Sequence, residues 1–268
     1  MSLHRVNGLN LWIEQAGSGP PLLAIMGSGG DLRRKPNIFD APLAKINTVA
    51  SYDQRGLGQS DKPPGPYSMA QYADDAAGVL DALGWDRVAV MGISFGGMVA
   101  LEMALRHPGR IERLVLCCAS PGGEGGASYP LHEVQDLPPA ERTRFMTPIS
   151  DTRHDAAWQA AHPRVMEGLI AMAENDPFAD EPGRAMGARA QLEARRLHDV
   201  WDRLGEISAP TLICGGRYDG IALPQTQERM AERIPGARLE MFEGGHLFMI
   251  QDRRAYQVIG EFLDSPAD

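Results

Sequence analysis

The sequence predicts an α/β protein with a mostly parallel sheet, helices on both faces, and a helical segment inserted between two strands. First, short β-branched apolar runs alternate along the chain with longer runs of helix-forming residues, which is typical of a parallel sheet covered on both faces. Second, strand-like runs stop between residues 121 and 204 and then resume. Third, 268 residues suffice for one large domain that carries such an insertion.

The elements before residue 120 follow from local patterns. Residues 6–14 alternate around Asn7-Gly8, which predicts a hairpin. A helix is predicted over residues 68–83, with Ser68 as its N-cap and Gly84 as its stop. Further strands are predicted at 22–26, 48–52, 88–93 and 113–118, and further helices at 36–46 and 98–106.

The segment after residue 120 defines the domain organisation. Glycines make residues 121–126 a flexible break, and helices are predicted near 139–147, 155–172 and 182–204. Strands at 211–214 and 238–242 and helices at 225–234 and 255–263 complete the predicted sheet and its cover. We therefore predict a core of residues 1–120 and 205–268 and a helical lid of residues 121–204. Sites on parallel sheets lie at the carboxyl ends of strands, where the ends of this insertion emerge.

The segment Gly92-Ile93-Ser94-Phe95-Gly96 joins a predicted strand to a predicted helix. This is the G-x-S-x-G pattern in the strand–turn–helix context where a strained turn lifts a serine hydroxyl clear of the sheet. The residues two before and two after the serine crowd each other, so only small residues fit there. The pattern predicts that Ser94 is a nucleophile. The alternative is a glycine-rich helix entry with an N-capping serine.

A nucleophilic serine requires a base, and the base requires an orienting acid. Among the seven histidines, His246 follows a predicted strand and two glycines on a loop. Asp219 follows the predicted strand at 211–214, and the chain order Ser94, Asp219, His246 is the one expected after a nucleophile elbow. A solvated loop histidine and a plain turn aspartate are the alternatives. Glu124 is the next candidate for the acid.

Four ordered motifs give the sequence a recognisable family pattern: Gly92-x-Ser94-x-Gly96-Gly97, Asp53-x-Arg55-Gly56-x-Gly58-x-Ser60, Gly216-Arg217-x-Asp219 and Gly245-His246. With these motifs the chain resembles the α/β-hydrolase superfamily, specifically its lidded, cofactor-free esterase and lactonase-like members, over nearly its whole length. The resemblance implies the α/β-hydrolase fold, with Ser94 as nucleophile, His246 as general base and then acid, and Asp219 as the orienting carboxylate.

The loop that feeds the oxyanion hole departs from the family pattern. Such enzymes often carry His-Gly after this strand, whereas here the strand ends in Met26-Gly27-Ser28-Gly29-Gly30. Backbone donors do not need the histidine side chain, so the N–H groups of Ser28 and Phe95 remain the predicted oxyanion hole. The change leaves open how the loop is held by hydrogen bonds.

The resemblance implies a serine hydrolase that cleaves a carboxylic ester or lactone through an acyl-enzyme, without a metal or organic cofactor. One alternative is a hydrolase of carbon–carbon bonds in ring-cleavage products. That branch typically places tryptophan directly after the catalytic histidine, where this chain has Leu247-Phe248. Another alternative is a non-catalytic ligand-binding protein on the same fold, which turnover of an activated ester would separate from an enzyme.

The composition limits the kinds of partner that the protein is expected to bind. The net charge of −9, without a basic stripe, argues against nucleic acid and anionic membranes. We expect a cytoplasmic protein, because no signal peptide or long apolar run is visible and three cysteines lie in apolar runs. The expected partner is a small-molecule ester or lactone substrate, and both a monomer and a homodimer stay open.

The densest positive cluster, Arg33-Arg34-Lys35, directly follows the predicted oxyanion loop. One interpretation is a clamp for a substrate carboxylate, which arginine can bind in a bidentate manner. The other is a solvated face whose charges pair with Asp31 and Asp40.

Overall fold

The computed structural model describes residues 1–265, and an eight-stranded sheet organises them. The strand order is β1-β2-β4-β3-β5-β6-β7-β8, and every pair from β4 to β8 along this order is parallel. The strands are β1 Ser2–Val6, β2 Leu9–Ala16, β3 Pro21–Ile25, β4 Thr48–Tyr52, β5 Val88–Ile93, β6 Ile111–Cys117, β7 Thr211–Gly216 and β8 Arg238–Phe242. The predicted α/β class with a mostly parallel sheet is confirmed.

The antiparallel edge of the sheet is the predicted hairpin. Val6 pairs with Leu9 across a turn in which Asn7 and Gly8 have φ of 46° and 83°. Two successive residues with positive φ make the tight turn that matches the twist of paired strands, and Asn-Gly is the dipeptide that tolerates it best. The strand β2 then pairs antiparallel with β4 and joins the hairpin to the parallel part.

Helices cover both faces of the sheet. The helices are α1 Met69–Leu83, α2 Phe95–Arg106, α3 Pro139–Ser150, α4 Ala156–Ala161, α5 Pro163–Glu174, α6 Arg184–Arg196, α7 Pro224–Arg233, α8 Phe248–Gln251 and α9 Arg254–Asp264. Because side chains alternate along a strand, Leu23 joins a core with α1, α2 and α7, while Leu22 joins a second core with α8 and α9. The carboxyl ends of the parallel strands are thus fixed by two buried layers.

The segment of residues 121–204, which we call the helical insert, contains α3 to α6 and lies between β6 and β7. The predicted extents of two helices in the insert were wrong. The helix expected over 155–172 is two helices, because Pro163 lacks the N–H that would continue α4. The helix expected over 182–204 ends at Arg196, and a 3₁₀ turn follows at Trp201–Glu206.

The predicted helix at 36–46 was also wrong in type. The chain forms two 3₁₀ turns there, Ile38–Asp40 and Pro42–Lys45. Pro42 begins the second turn and has no N–H to carry a helical hydrogen bond across from the first. The carboxylate of Asp40 accepts the backbone N–H of Asn37 at 2.9 Å, so its partner is a neighbouring residue in the chain.

The positive cluster after the oxyanion loop meets the insert. Arg33 donates to Asp31 at 2.7 Å and to Glu181 of the insert at 2.8 Å. Arg34 donates to Asp176, also in the insert, at 2.6 Å. The two arginine charges are therefore paired with carboxylates. Asp31 pairs with Arg33, as expected. The other partners of the two arginines are Glu181 and Asp176 of the insert, and not Asp40.

Candidate active site

Ser94 stands at the junction of β5 and α2 in a backbone conformation that few residues adopt. Its φ is 55° and its ψ is −115°, a strained combination for a residue with a side chain. The Ser94 N–H donates to the carbonyl of Cys117 at 2.8 Å, and its own carbonyl accepts from Gly97 at 2.9 Å. These bonds tie the turn to β6 on one side and to the first turn of α2 on the other.

Two glycines make this turn possible. A Cβ at Gly92 would lie 2.3 Å from the carbonyl oxygen of Gly96, and a Cβ at Gly96 would lie 2.0 Å from the carbonyl oxygen of Ile25. Real Cβ atoms do not approach backbone oxygens so closely, so neither position accepts a side chain. The crowding predicted from the sequence is the observed packing, and it presses the serine turn against the end of β3.

The structure brings His246 to Ser94. His246 lies on the loop after β8, and its Nε2 is 2.9 Å from the Ser94 Oγ. Its backbone N–H donates to the carbonyl of Ser150, the last residue of α3, at 2.6 Å. The histidine is therefore positioned from two sides, by the end of the sheet and by the helical insert.

Asp219 completes the line of side chains. Its Oδ2 lies 2.8 Å from the His246 Nδ1, and its Oδ1 accepts the N–H groups of Ile221 and Ala222 at 2.8 and 3.0 Å. The carboxylate is 1% exposed, so its loop holds it as a fixed acceptor. Glu124, the other candidate acid, is exposed in the 3₁₀ turn Gly123–Gly125.

Cys118 is a neighbour of this line that the sequence did not reveal. Its sulfur, a His246 ring nitrogen and an Asp219 oxygen all lie within 4.8 Å of one another. Burial raises the pKa of the Cys118 thiol, which favours the neutral form. Sulfur, imidazole and carboxylate donors could hold a soft metal ion, but both ring nitrogens of His246 already contact Asp219 and Ser94. This arrangement suits proton transfer.

The charge state of His246 is set by opposing effects. Burial disfavours the imidazolium, whereas the hydrogen bond and the charge of the Asp219 carboxylate favour it and raise the pKa of His246 above its ordinary value. The Asp219 carboxylate thus makes His246 a stronger base. The same carboxylate fixes the ring orientation, since it accepts from Nδ1 and leaves Nε2 facing the serine.

The predicted oxyanion donors flank the serine. The backbone N–H groups of Ser28 and Phe95 donate no hydrogen bond to any group within residues 1–265. The loop is close to the nucleophile, because a Cβ at Gly27 would lie 3.4 Å from the Ser94 Cβ. Free N–H groups on two sides of a nucleophile suit the negative oxygen of a tetrahedral intermediate.

Two glutamines hold the oxyanion loop where the family pattern would place histidine. Gln54 donates from Nε2 to the carbonyl of Met26 at 2.7 Å. Gln191, on α6 of the insert, accepts the N–H of Gly29 at 2.9 Å. Sequence patterns did not single out either glutamine, because each acts across a distance in the chain. The helical face shared by Gly187, Gln191 and Arg195 was the available signal.

Two cavities compete for the role of substrate pocket. One of about 300 Å³ opens over the oxyanion loop between that loop and the insert. Its walls are Ser28, Gly29, Leu131, Val134, Gln135, Arg142, Met146, Ala188, Gln191 and Leu192. A larger groove of about 610 Å³ runs beside α9, but none of the predicted site residues lines it. We assign the pocket over the loop to the site, because chemistry at Ser94 requires this proximity.

The helices of the described part of the chain are too short or too polar to cross a membrane.

Comparisons with known proteins give the family. The family model described as alpha/beta hydrolase fold matches residues 20–252, more than half of the chain. The 2-hydroxymuconate semialdehyde hydrolase of Pseudomonas sp. (strain CF600) is 31% identical over 275 residues, covering 96% of this chain and 91% of that protein.

Two solved structures show the same architecture. The enol-lactonase from Burkholderia xenovorans LB400 superposes with a TM-score of 0.80 at 26% identity, covering 98% of this chain and 100% of the other. A thermophilic esterase from Thermogutta terrifontis gives 0.73 at 29% identity, covering 98% and 96%. These relatives are hydrolases and this chain is an enzyme of the same kind. By the family model, by sequence identity and by architecture, the chain belongs to the α/β-hydrolase fold family.

Proposed function

We propose that this enzyme hydrolyses a carboxylic ester or lactone through an acyl-enzyme on Ser94. The observation that carries the proposal is the unbroken line from Asp219 through His246 to Ser94, with contacts of 2.8 and 2.9 Å. His246 takes the Ser94 proton as the hydroxyl attacks the carbonyl carbon, and Asp219 stabilises the resulting imidazolium. The N–H groups of Ser28 and Phe95 then stabilise the oxyanion.

The second half of the reaction uses the same groups. His246 donates its proton to the leaving alcohol, which departs and leaves the acyl group on Ser94. A water molecule gives a proton to His246 and attacks the acyl carbon, and collapse of the intermediate returns the proton to Ser94 and releases the acid. We propose that the helical insert acts as the lid over this site, because Ser150 and Gln191 contact the base loop and the oxyanion loop.

Hydrolysis of a carbon–carbon bond is the second candidate. It is favoured by the 31% identity to the 2-hydroxymuconate semialdehyde hydrolase. The ester or lactone is our first choice, since the structural relatives include an enol-lactonase and an esterase. Directly after His246 the chain carries an exposed Leu247 and then Phe248, which is buried against Phe242.

The test is a substrate panel combined with covalent labelling. Purified protein should hydrolyse p-nitrophenyl butyrate or a simple lactone faster than a vinylogous 1,5-diketone, and a fluorophosphonate probe should label Ser94. Ser94→Ala should lose both turnover and labelling with its fold unchanged. Ser120→Ala, which removes another buried hydroxyl three residues beyond β6, should keep both. Labelling of a different serine, or preferential cleavage of the diketone, would overturn the proposal.

A further inference from the structure

Arg195, on α6, is a buried cation that forms no ion pair with a carboxylate of residues 1–265. Its residue is 5% exposed, and its Nη1 donates to the carbonyl of Tyr129 at 2.6 Å. Its Nε and Nη2 have no hydrogen-bond partner within residues 1–265. Burial lowers the pKa of Arg195 to about 10, so the group is still cationic at neutral pH. Burial of a charge whose donors have no partners costs free energy, and a ligand of opposite charge would offset this cost.

The unpartnered edge of Arg195 has a definite chemical preference. In the pair of Arg55 with Asp75, the carboxylate binds Nε and Nη2 at 2.6 and 2.9 Å. The pair of Arg196 with Glu193 uses the same two nitrogens, at 2.9 and 2.6 Å. In Arg195, Nη1 donates to a backbone carbonyl, and the edge formed by Nε and Nη2 has no partner within residues 1–265. The edge matches the two oxygens of a planar carboxylate.

The neighbours of Arg195 contact two loops of the candidate active site. Gln191 lies one helical turn earlier, on the same face of α6, and holds Gly29 of the oxyanion loop. On the other side, Tyr129 donates its N–H to the carbonyl of Ile221, two residues beyond Asp219. Arg195 therefore lies between the loop of the oxyanion hole and the loop of the acid.

Near Arg195, the side chains of Gln191 and Ser28 also carry hydrogen-bond donors without a partner. The Gln191 Oε1 accepts from Gly29, so its amide nitrogen faces elsewhere, and that nitrogen is buried without a partner within the described chain. The Ser28 hydroxyl is likewise buried without a partner there. Ser28 and Gln191 line the cavity of about 300 Å³ over the oxyanion loop, and Arg142 contributes a cation to its wall, while Arg195 lies one helical turn beyond Gln191. This concentration of donors and positive charge selects an anion.

The cluster Arg33-Arg34-Lys35 is a weaker candidate for the same task. Arg33 is bound by Asp31 and Glu181, and Arg34 is bound by Asp176. A substrate carboxylate would have to displace these acids. Arg195 requires no such displacement.

We propose that Arg195, assisted by Gln191, binds a carboxylate on the substrate, so that the substrate class is an ester or lactone bearing a free carboxylate. The inference rests on the proposed hydrolytic function and specifies the substrate of that same site. The guanidinium binds the two carboxylate oxygens through Nε and Nη2, and this contact holds the scissile carbonyl against Ser94.

The test compares two activated esters that differ in one charge. For p-nitrophenyl butyrate and the p-nitrophenyl monoester of glutaric acid, kcat/KM is measured in the wild type, in Arg195→Met and in Arg195→Lys. Arg195→Met should lower kcat/KM of the anionic ester by about 10- to 100-fold more than that of the neutral ester, and Arg195→Lys should restore part of the loss. Arg196→Met, which removes the adjacent exposed cation paired with Glu193, should leave the ratio unchanged.

An equal loss of kcat/KM for both esters in Arg195→Met would overturn the carboxylate assignment. Turnover of the neutral ester and labelling of Ser94 would still support the proposed hydrolase function. If Arg195→Met does not fold, wild-type protein supplies the second measurement. Glutarate should protect Ser94 from fluorophosphonate labelling at a concentration at least about 10-fold below that of neutral glutaramide. Equal protection would overturn the inference, whereas absence of any labelling would instead overturn the proposed function.

Discussion

His246 Nε2 lies 2.9 Å from Ser94 Oγ, although 152 positions separate the two residues in the chain. They meet because β5 and β8 are parallel members of one sheet, so the loops that follow them emerge at the same edge. The insert also supports the base loop, since the carbonyl of Ser150 accepts the backbone N–H of His246. Three separate segments of the chain therefore position the contact along which we propose that the proton moves.

Asp219→Asn should reduce kcat by about 10⁴-fold, because an amide in this position favours the wrong tautomer of His246. The substitution is nearly isosteric, so thermal unfolding should show a folded protein. The measurement is kcat for p-nitrophenyl butyrate, with Glu124→Gln as the control at the other candidate acid. A rate close to that of the wild type would assign the orienting role to another carboxylate.

The pH profile should report the raised pKa of His246. The free enzyme needs a neutral base, so kcat/KM should rise with pH along a limb that lies above 6.5, the ordinary histidine value. A wild-type limb at or below pH 6.5 would contradict this assignment.

His198 should make the protein sensitive to acid. Burial lowers its pKa to about 4, so the folded state excludes a proton that the unfolded state binds near pH 6.5. Between these values the unfolded state binds more protons, so stability falls as pH falls, by up to about 3 kcal/mol. His198→Gln should show less loss in urea unfolding between pH 7 and 4.

The control for this measurement is His162→Gln, at a histidine on the exposed surface of the insert. It should keep the acid sensitivity of the wild type. Identical pH dependence in His198→Gln and the wild type would exclude His198 as the cause.

The ion pair of Arg33 with Glu181 should stabilise the docked insert. Both side chains are partly exposed, so a double-mutant cycle with Arg33→Ala and Glu181→Ala should give a coupling of about 1 kcal/mol in thermal unfolding. Arg33→Ala should lower kcat/KM of neutral and anionic esters by the same factor, because the arginine is already bound by acids. A selective loss for the anionic ester would return this cluster to substrate binding.

The sequence identified Ser94, Asp219 and His246 because each belongs to a short motif at the end of a strand. Their mutual geometry also follows from chain order on a parallel sheet. Cys118 and Gln191 carry no such motif. Cys118 reaches His246 only through the order of the strands, and Gln191 reaches Gly29 only through the docking of α6 on the core.

The ends of the insert helices were harder to predict than the core, because packing and proline, not periodicity, decide them. Pro163 divides one expected helix into two. Arg195 illustrates the same limit, since an arginine in the last turn of a polar helix is ordinarily exposed, and only its spacing from Gly187 and Gln191 hints that it is buried.

In the proposed mechanism, the hydrogen bond between Gln191 and Gly29 couples the oxyanion hole to the position of α6. If α6 moves away, the loop loses the acceptor that fixes its backbone, and the donor at Ser28 loses its orientation. Thermodynamic reciprocity then applies in both directions. A tetrahedral oxyanion mimic bound at Ser94 must favour the closed insert by the same free energy with which closure favours the mimic. Affinity for such a mimic is therefore also a measure of how strongly the closed state is populated.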